Sequence, residues 1–118
     1  MNMVKYEVIV SPKFKKEFYK LSKEIQKQAR KKLKMLETRP YCGTRLKHKL
    51  SDFYSIHFHK NQYRIIYTIE KKIVKVLALA IGKRTKDFYK KVEIELKELE
   101  KRRSELRQGY TSSISDLS

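Results

Sequence analysis

Tyr54-Ser55-Ile56-His57-Phe58-His59-Lys60-Asn61-Gln62-Tyr63-Arg64-Ile65-Ile66-Tyr67-Thr68-Ile69 holds two alternating segments around a short turn at Lys60-Asn61. Tyr54, Ile56 and Phe58 share one face of the first segment. Tyr63, Ile65, Tyr67 and Ile69 share one face of the second, which is the period of two expected of half-buried strands. With Lys60 and Asn61 as the turn residues, Phe58 faces Tyr63, Ile56 faces Ile65 and Tyr54 faces Tyr67. Each pair is apolar, and a slip of one residue would bury charge, so the pattern fixes the register. The same register sets His57 opposite Arg64 on the other face, with Cβ atoms ~5 Å apart. A titratable imidazole beside a permanent cation, on a polar sheet face, suits phosphate chemistry.

Working outward, Tyr6 to Val10 reads as a first strand. Ser11 then offers a helix cap and Pro12 suits the first helical turn. Phe14, Phe18, Leu21, Ile25, Ala29, Leu33 and Leu36 follow at spacings of three or four, an amphipathic stripe. Ser22 can cap a second helix, which makes the stripe a helical hairpin. Its opposite face carries Lys13, Lys16, Lys20, Lys23, Lys27, Lys31 and Lys34, a solvated face of one sign. Thr38 to Gly43 is a loop, and Leu46 to Leu50 reads as a short edge strand. Beyond the central hairpin a turn falls near Glu70-Lys71-Lys72. The nearly continuous apolar run Ile73 to Ile81 is a strand covered on at least one face, ended by Gly82. From Thr85 a helix places Phe88, Val92, Leu96 and Leu99 on one side, and the Ser-rich end from Gly109 reads as mobile.

The order β-α-α-β-β-β-β-α predicts an α+β fold, an antiparallel β-sheet with the N-terminal helical hairpin packed on one face and a C-terminal helix. That arrangement leaves the other face open, with Ser55, His57, His59 and Arg64 on it. Residues 1–92 form the expected domain, and 93–118 a helical extension with a flexible tail.

The 118 residues carry a formal charge of +17, unevenly placed. Residues 1–92 hold 25 Lys and Arg against 7 Asp and Glu, whereas 93–118 hold 5 against 6. A field of that sign attracts polyanions, and nucleic acid ranks ahead of a membrane surface because no helix has the bulky apolar face of an interfacial anchor. The longest apolar run is interrupted by Lys75 and too short to span a bilayer. Cys42 is the only cysteine, so a disulfide framework or cysteine metal cluster within one chain is excluded. His48, His57 and His59 lack a carboxylate or thiol at ligand spacing, and no metal or other cofactor is expected. With no leader read ahead of Tyr6, a reducing cytoplasm is the expected location.

Gly82-Lys83-Arg84-Thr85-Lys86-Asp87-Phe88-Tyr89, together with Gln62-Tyr63-Arg64-Ile65-Ile66-Tyr67 and Leu46 leading through Phe53-Tyr54 into the hairpin, resembles the RelE/ParE superfamily of toxin–antitoxin toxins. RelE-type mRNA interferases are the most similar branch, over about residues 4–92. The resemblance implies a ribosome-dependent ribonuclease that cuts mRNA without a metal. In that reaction the 2′-hydroxyl attacks the adjacent phosphate, leaving a cyclic phosphate and a free 5′-hydroxyl. Arg64 and Arg84 match the arginines that hold the scissile phosphate, and Tyr89 matches the tyrosine that orients or stacks on the substrate. Ser55 and His57 fall where many relatives carry lysines. Ser55 has no cation to offer, while His57 is a candidate general base because its ordinary pKa lies nearest neutrality.

Lys47, Lys49, Ser55, His59, Lys83 and Lys86 complete the set as candidate RNA contacts. The implied partners are a cognate antitoxin, in a hetero-oligomer, and the ribosome with its mRNA, with no membrane. Two other functions fit the same residues. One is a ParE-like module that inhibits DNA gyrase, and the other is a basic RNA-binding protein without catalysis.

Overall fold

A computed structural model describes residues 4–47, 50–101 and 112–117. In chain order the elements are β1 (Glu7–Val10), α1 (Pro12–Tyr19), α2 (Lys23–Leu36), β2 (Thr44–Arg45), β3 (Phe53–Phe58), β4 (Tyr63–Glu70), β5 (Lys75–Lys83), α3 (Lys86–Lys101) and β6 (Ser112–Ser113). They build one six-stranded sheet in the order β2-β3-β4-β5-β1-β6. The central hairpin adopts the register set by its alternation: Phe58 pairs with Tyr63, His57 with Arg64, Ile56 with Ile65 and Tyr54 with Tyr67.

The helical hairpin forms where the two serines place it. Ser11 Oγ accepts from the Phe14 amide at 3.0 Å and Ser22 Oγ from the Ile25 amide at 3.3 Å, each relieving one unpaired donor of a helix start. Gln26 Nε2 donates to the Leu21 carbonyl at 2.8 Å and ties the connection to α2. Phe14, Phe18, Ile25, Ala29, Leu33 and Leu36 are buried against Val8, Val10, Ile56, Ile65, Tyr67 and Ala78. Full burial of each large side chain contributes about 1.5–3 kcal/mol, so this stripe fixes the hairpin to the sheet.

Five features differ from the sequence expectation. The sheet is antiparallel except at β1, which runs parallel to β5 with Val8 beside Val76 and Ile9 beside Leu77. No short turn joins these two strands, so nothing local constrains their relative direction. Second, the far face is not open along its length. Val92 and Leu96 of α3 pack on Ile9, Ile66, Leu77, Leu79 and Ala80, so β5 is covered on both sides. A bulge between Ile66 and Tyr67 helps: Ile66 pairs with Ala80 and Tyr67 with Ala78, which sends Leu79 and Ala80 to the same face.

Third, the edge strand β2 is Thr44–Arg45, ahead of the expected Leu46 to Leu50, and pairs with Ser55 and Tyr54. The last strand is also shifted. Ile73 lies in a short 3-10 turn and β5 continues through Gly82 to Lys83. Finally, residues 112–117, expected as mobile tail, return to the sheet. Ser112 and Ser113 pair with Val10 and Ile9, Leu117 is fully buried, and Arg30 Nη1 donates to the Leu117 carbonyl at 3.0 Å. Apolar Ile114 and Leu117 anchor this segment where the serines alone would not.

Candidate functional site

Three elements meet at the turn between β3 and β4. His59, Lys60 and Asn61 all have left-handed backbone, with φ of 51°, 54° and 70°. The Gln62 amide donates to the His59 carbonyl at 3.1 Å, which makes Lys60-Asn61 the centre of a tight turn whose twist suits the strands it joins. On β4, Arg64 has His57 of β3 on one side and Gly82 of β5 on the other. Past the end of β5, the Arg84 amide donates to the Gln62 carbonyl at 2.7 Å, so the backbone of Arg84 is fastened to the same turn.

Helix α3 starts at this corner because Thr85 caps it, accepting from the Phe88 amide at 3.1 Å. Its first turn is seated by a close approach. A Cβ at Gly82 would lie 2.8 Å from two ring carbons of Phe88, so glycine is what admits the ring here. With Phe88 set in that notch, the adjoining Tyr89 hydroxyl accepts a hydrogen bond from Arg64 Nε at 2.9 Å. Asn61 Oδ1 accepts from Arg64 Nη1 at 3.2 Å. The guanidinium is thus held from two sides by neutral acceptors, and among the described residues no ion pair neutralises it.

Of the four candidate catalytic residues, Arg64 and Tyr89 are in contact, His57 is the cross-strand neighbour of Arg64, and Arg84 joins through its backbone. His57 and Arg84 are exposed, while Arg64 and Tyr89 are half-buried. Lys83 and Lys86, both exposed, flank the corner on β5 and at the start of α3. Ser55 is half-buried two residues before His57, on the same face. The corner is walled by the first turn of α3 and open to solvent over β3. It can present cations and one imidazole to a phosphate, the set that charge development at a phosphoryl centre requires.

His59 does not belong with them. Its left-handed backbone takes it out of the strand alternation, and its Nδ1 meets Gln28 Oε1 of α2 at 3.2 Å on the opposite side of the sheet. Lys47 is exposed and follows Leu46, whose amide donates to the Phe53 carbonyl at 2.9 Å, at the opposite end of β3 from the turn. Lys49 and His48 lie outside the described residues. Asn61 was read from the sequence as a turn residue and not as part of the site. Its signal was present, because asparagine is among the few residues that tolerate left-handed backbone and it precedes Arg64 by three positions.

A cleft of about 490 Å³ opens at the other end of the hairpin, lined by Tyr41, Arg45, Tyr54, Ile69 and Lys71 among others. There Lys71 Nζ sits 5.6 Å over the Tyr41 ring, which itself packs edge-on against Tyr54. These contacts brace the loop before β2. Among the described residues no group of three or more His, Cys, Asp or Glu side chains comes together, and no helix is long and apolar enough to cross a membrane.

Residues 8–88 match the family described as ParE toxin of type II toxin–antitoxin systems, parDE. A protein of Escherichia coli described as RelE-like toxin is 30% identical over 87 residues, covering 73% of this chain and 92% of that protein. In structure the chain resembles the toxin–antitoxin complex RelBE of Escherichia coli, at a TM-score of 0.60 and 25% identity, with 69% of this chain and 99% of that chain covered. The isolated RelE toxin of Escherichia coli has a TM-score of 0.59 at 24% identity, covering 75% of this chain and 96% of that one.

Proposed function

The chain belongs to the ParE toxin family, within the RelE/ParE superfamily of type II toxin–antitoxin toxins, and on that premise we propose that it is an endoribonuclease that cuts mRNA on the ribosome. The observation that carries this reading is the Arg64 guanidinium, held between Tyr89 and Asn61 and facing His57 across the strand pair. A cation fixed by neutral acceptors keeps its full charge for a phosphate, and arginine adds a paired-donor geometry.

The chemistry follows from what each group can do. Neutral His57 takes the proton from the 2′-hydroxyl. The 2′-oxygen then attacks the adjacent phosphorus and the bond to the 5′-oxygen breaks, leaving a cyclic phosphate and a 5′-hydroxyl. Arg64 and Arg84 hold the non-bridging oxygens as charge builds on them. The Tyr89 oxygen accepts from Arg64, so its own O–H proton is free for the departing 5′-oxygen. Lys83 and Lys86 contribute backbone contacts to the message, weakened by added salt. An antitoxin segment covering the Arg64 corner would silence the toxin.

The match to the ParE family supports a second reading, inhibition of DNA gyrase without RNA cleavage. Primer extension on a translated message separates the two. The nuclease gives defined 5′-hydroxyl ends that vanish in Arg64→Ala/Arg84→Ala. Growth arrest that survives both substitutions, with a block of gyrase supercoiling in vitro, replaces the nuclease reading with the second.

A further inference from the structure

We infer that Asn61 is a positioning residue for Arg64, set by a strained turn so that the guanidinium is ordered before any phosphate arrives. The inference rests on reading Arg64 as the phosphate ligand. Its ground is the coincidence of two features at one residue. The first is backbone conformation. A tight turn of this type needs left-handed backbone at its two central positions, and here three consecutive residues adopt it, His59, Lys60 and Asn61, none of them glycine. Left-handed backbone is unfavourable for side chains bearing a Cβ, and such strain gathers where the fold holds a group for a purpose.

The second feature is the hydrogen bond that this conformation delivers. Asn61 Oδ1 accepts from Arg64 Nη1 at 3.2 Å while Tyr89 accepts from Nε at 2.9 Å. A guanidinium has five N–H groups, and these two contacts use one on Nη1 and the one on Nε. Three remain, two on Nη2 and one on Nη1, for phosphate oxygens. An arginine has several rotatable bonds, so a single tether leaves the group free to swing about it. Two tethers at different nitrogens fix its plane, and ordering before binding removes that entropic cost from the catalytic step. Neutral amide oxygen serves here where a carboxylate would draw off the charge.

Asn61→Gly removes the acceptor and relieves the strain together, so stability and activity should move in opposite directions. The expected result is a thermal midpoint equal to or above that of the wild type. Single-turnover cleavage on programmed ribosomes should fall about ten- to a hundredfold in kcat with KM little changed. In ¹⁵N NMR of the free protein, the Arg64 side-chain signal should broaden or shift toward that of a mobile arginine. Asn61→Asp keeps an acceptor and tolerates the backbone, so its Arg64 signal should stay ordered. Midpoint and activity falling together in Asn61→Gly would mark Asn61 as merely structural, and unchanged kcat with an unchanged Arg64 signal would overturn the inference outright. If the wild type cuts no translated message, the enzymatic reading fails first, and the NMR arm alone decides whether Asn61 orders Arg64.

Discussion

The hydroxyl of Tyr67 donates to the Pro40 carbonyl at 2.8 Å and accepts from the Gly43 amide at 3.0 Å, whereas that of Tyr89 accepts from Arg64 at 2.9 Å. Both tyrosines serve the same hairpin, one near its base and one at its turn. Tyr67 is fully buried, stacked on Tyr54 at 5.4 Å, and burial raises its phenol above the ordinary value. The fit is close enough that a Cβ on Gly43 would stand 2.5 Å from the Tyr67 oxygen. Tyr89 is half-buried and its proton is uncommitted among the described contacts. A hydroxyl with donor and acceptor both satisfied inside the core holds the fold. One that steadies a cation and keeps a proton in reserve can serve chemistry.

The largest expected effect tests the turn end. Arg64→Ala/Arg84→Ala should lower translation-dependent cleavage by at least about 10³-fold, because each removes a donor to the developing charge. Stability should change by only about 0.5 kcal/mol, since neither side chain is buried in the core. A large drop in the urea midpoint would mean that these arginines hold the fold, and the contrast between the two ends would dissolve.

Tyr67→Phe should do the reverse. It leaves the Pro40 carbonyl and Gly43 amide without their partner at a cost of about 1–3 kcal/mol, while cleavage per folded molecule stays at the wild-type level. Tyr89→Phe is the matching change at the turn, with a smaller effect on cleavage than the loss of the two arginines. We expect about a hundredfold loss in rate, equivalent to about 2.7 kcal/mol in the barrier, with an unchanged urea midpoint. Should Tyr89→Phe destabilise as much as Tyr67→Phe, the two hydroxyls share one structural role.

What the sequence disclosed follows the same division. Strand alternation and the two-residue turn together yield the hairpin register down to the His57–Arg64 pair, because a one-residue slip sends every side chain to the wrong face and the turn fixes the rest. Ser11 and Ser22 mark both helix starts because capping is a local interaction. The parallel β1–β5 pair was not legible, since alternation carries no information about strand direction. Nor was the face chosen by α3, because Val92 and Leu96 read the same on either side. The run Val76 to Ile81 held that clue, since continuous burial implies cover on both faces. At the site, Arg64 and Tyr89 were legible as residue types, but their hydrogen bond depends on the notch at Gly82, and the role of Asn61 depends on three backbone angles.

Glu17 of α1 provides the smallest effect and the sharpest check on the contrast. Its Oε1 is buried without a partner among the described residues, so an unsatisfied polar atom also occurs away from the turn. Burial pushes its carboxyl pKa up, against the pull of Lys13, the Ile81 amide, Lys20 and Lys91. Because the folded carboxyl keeps its proton to higher pH than the unfolded one, its contribution to stability is complete below the ordinary carboxylate range. That contribution is lost as pH rises through the folded value. Glu17→Gln should therefore have a slightly higher thermal midpoint than the wild type at pH 7, with the gap closing below about pH 4. Cleavage should be unaffected, since this oxygen lacks what Tyr89 has, a cation fixed beside it at an open corner. A variant that gained stability yet lost cleavage would show that incomplete satisfaction alone, without the Arg64 partnership, is enough to mark a functional group.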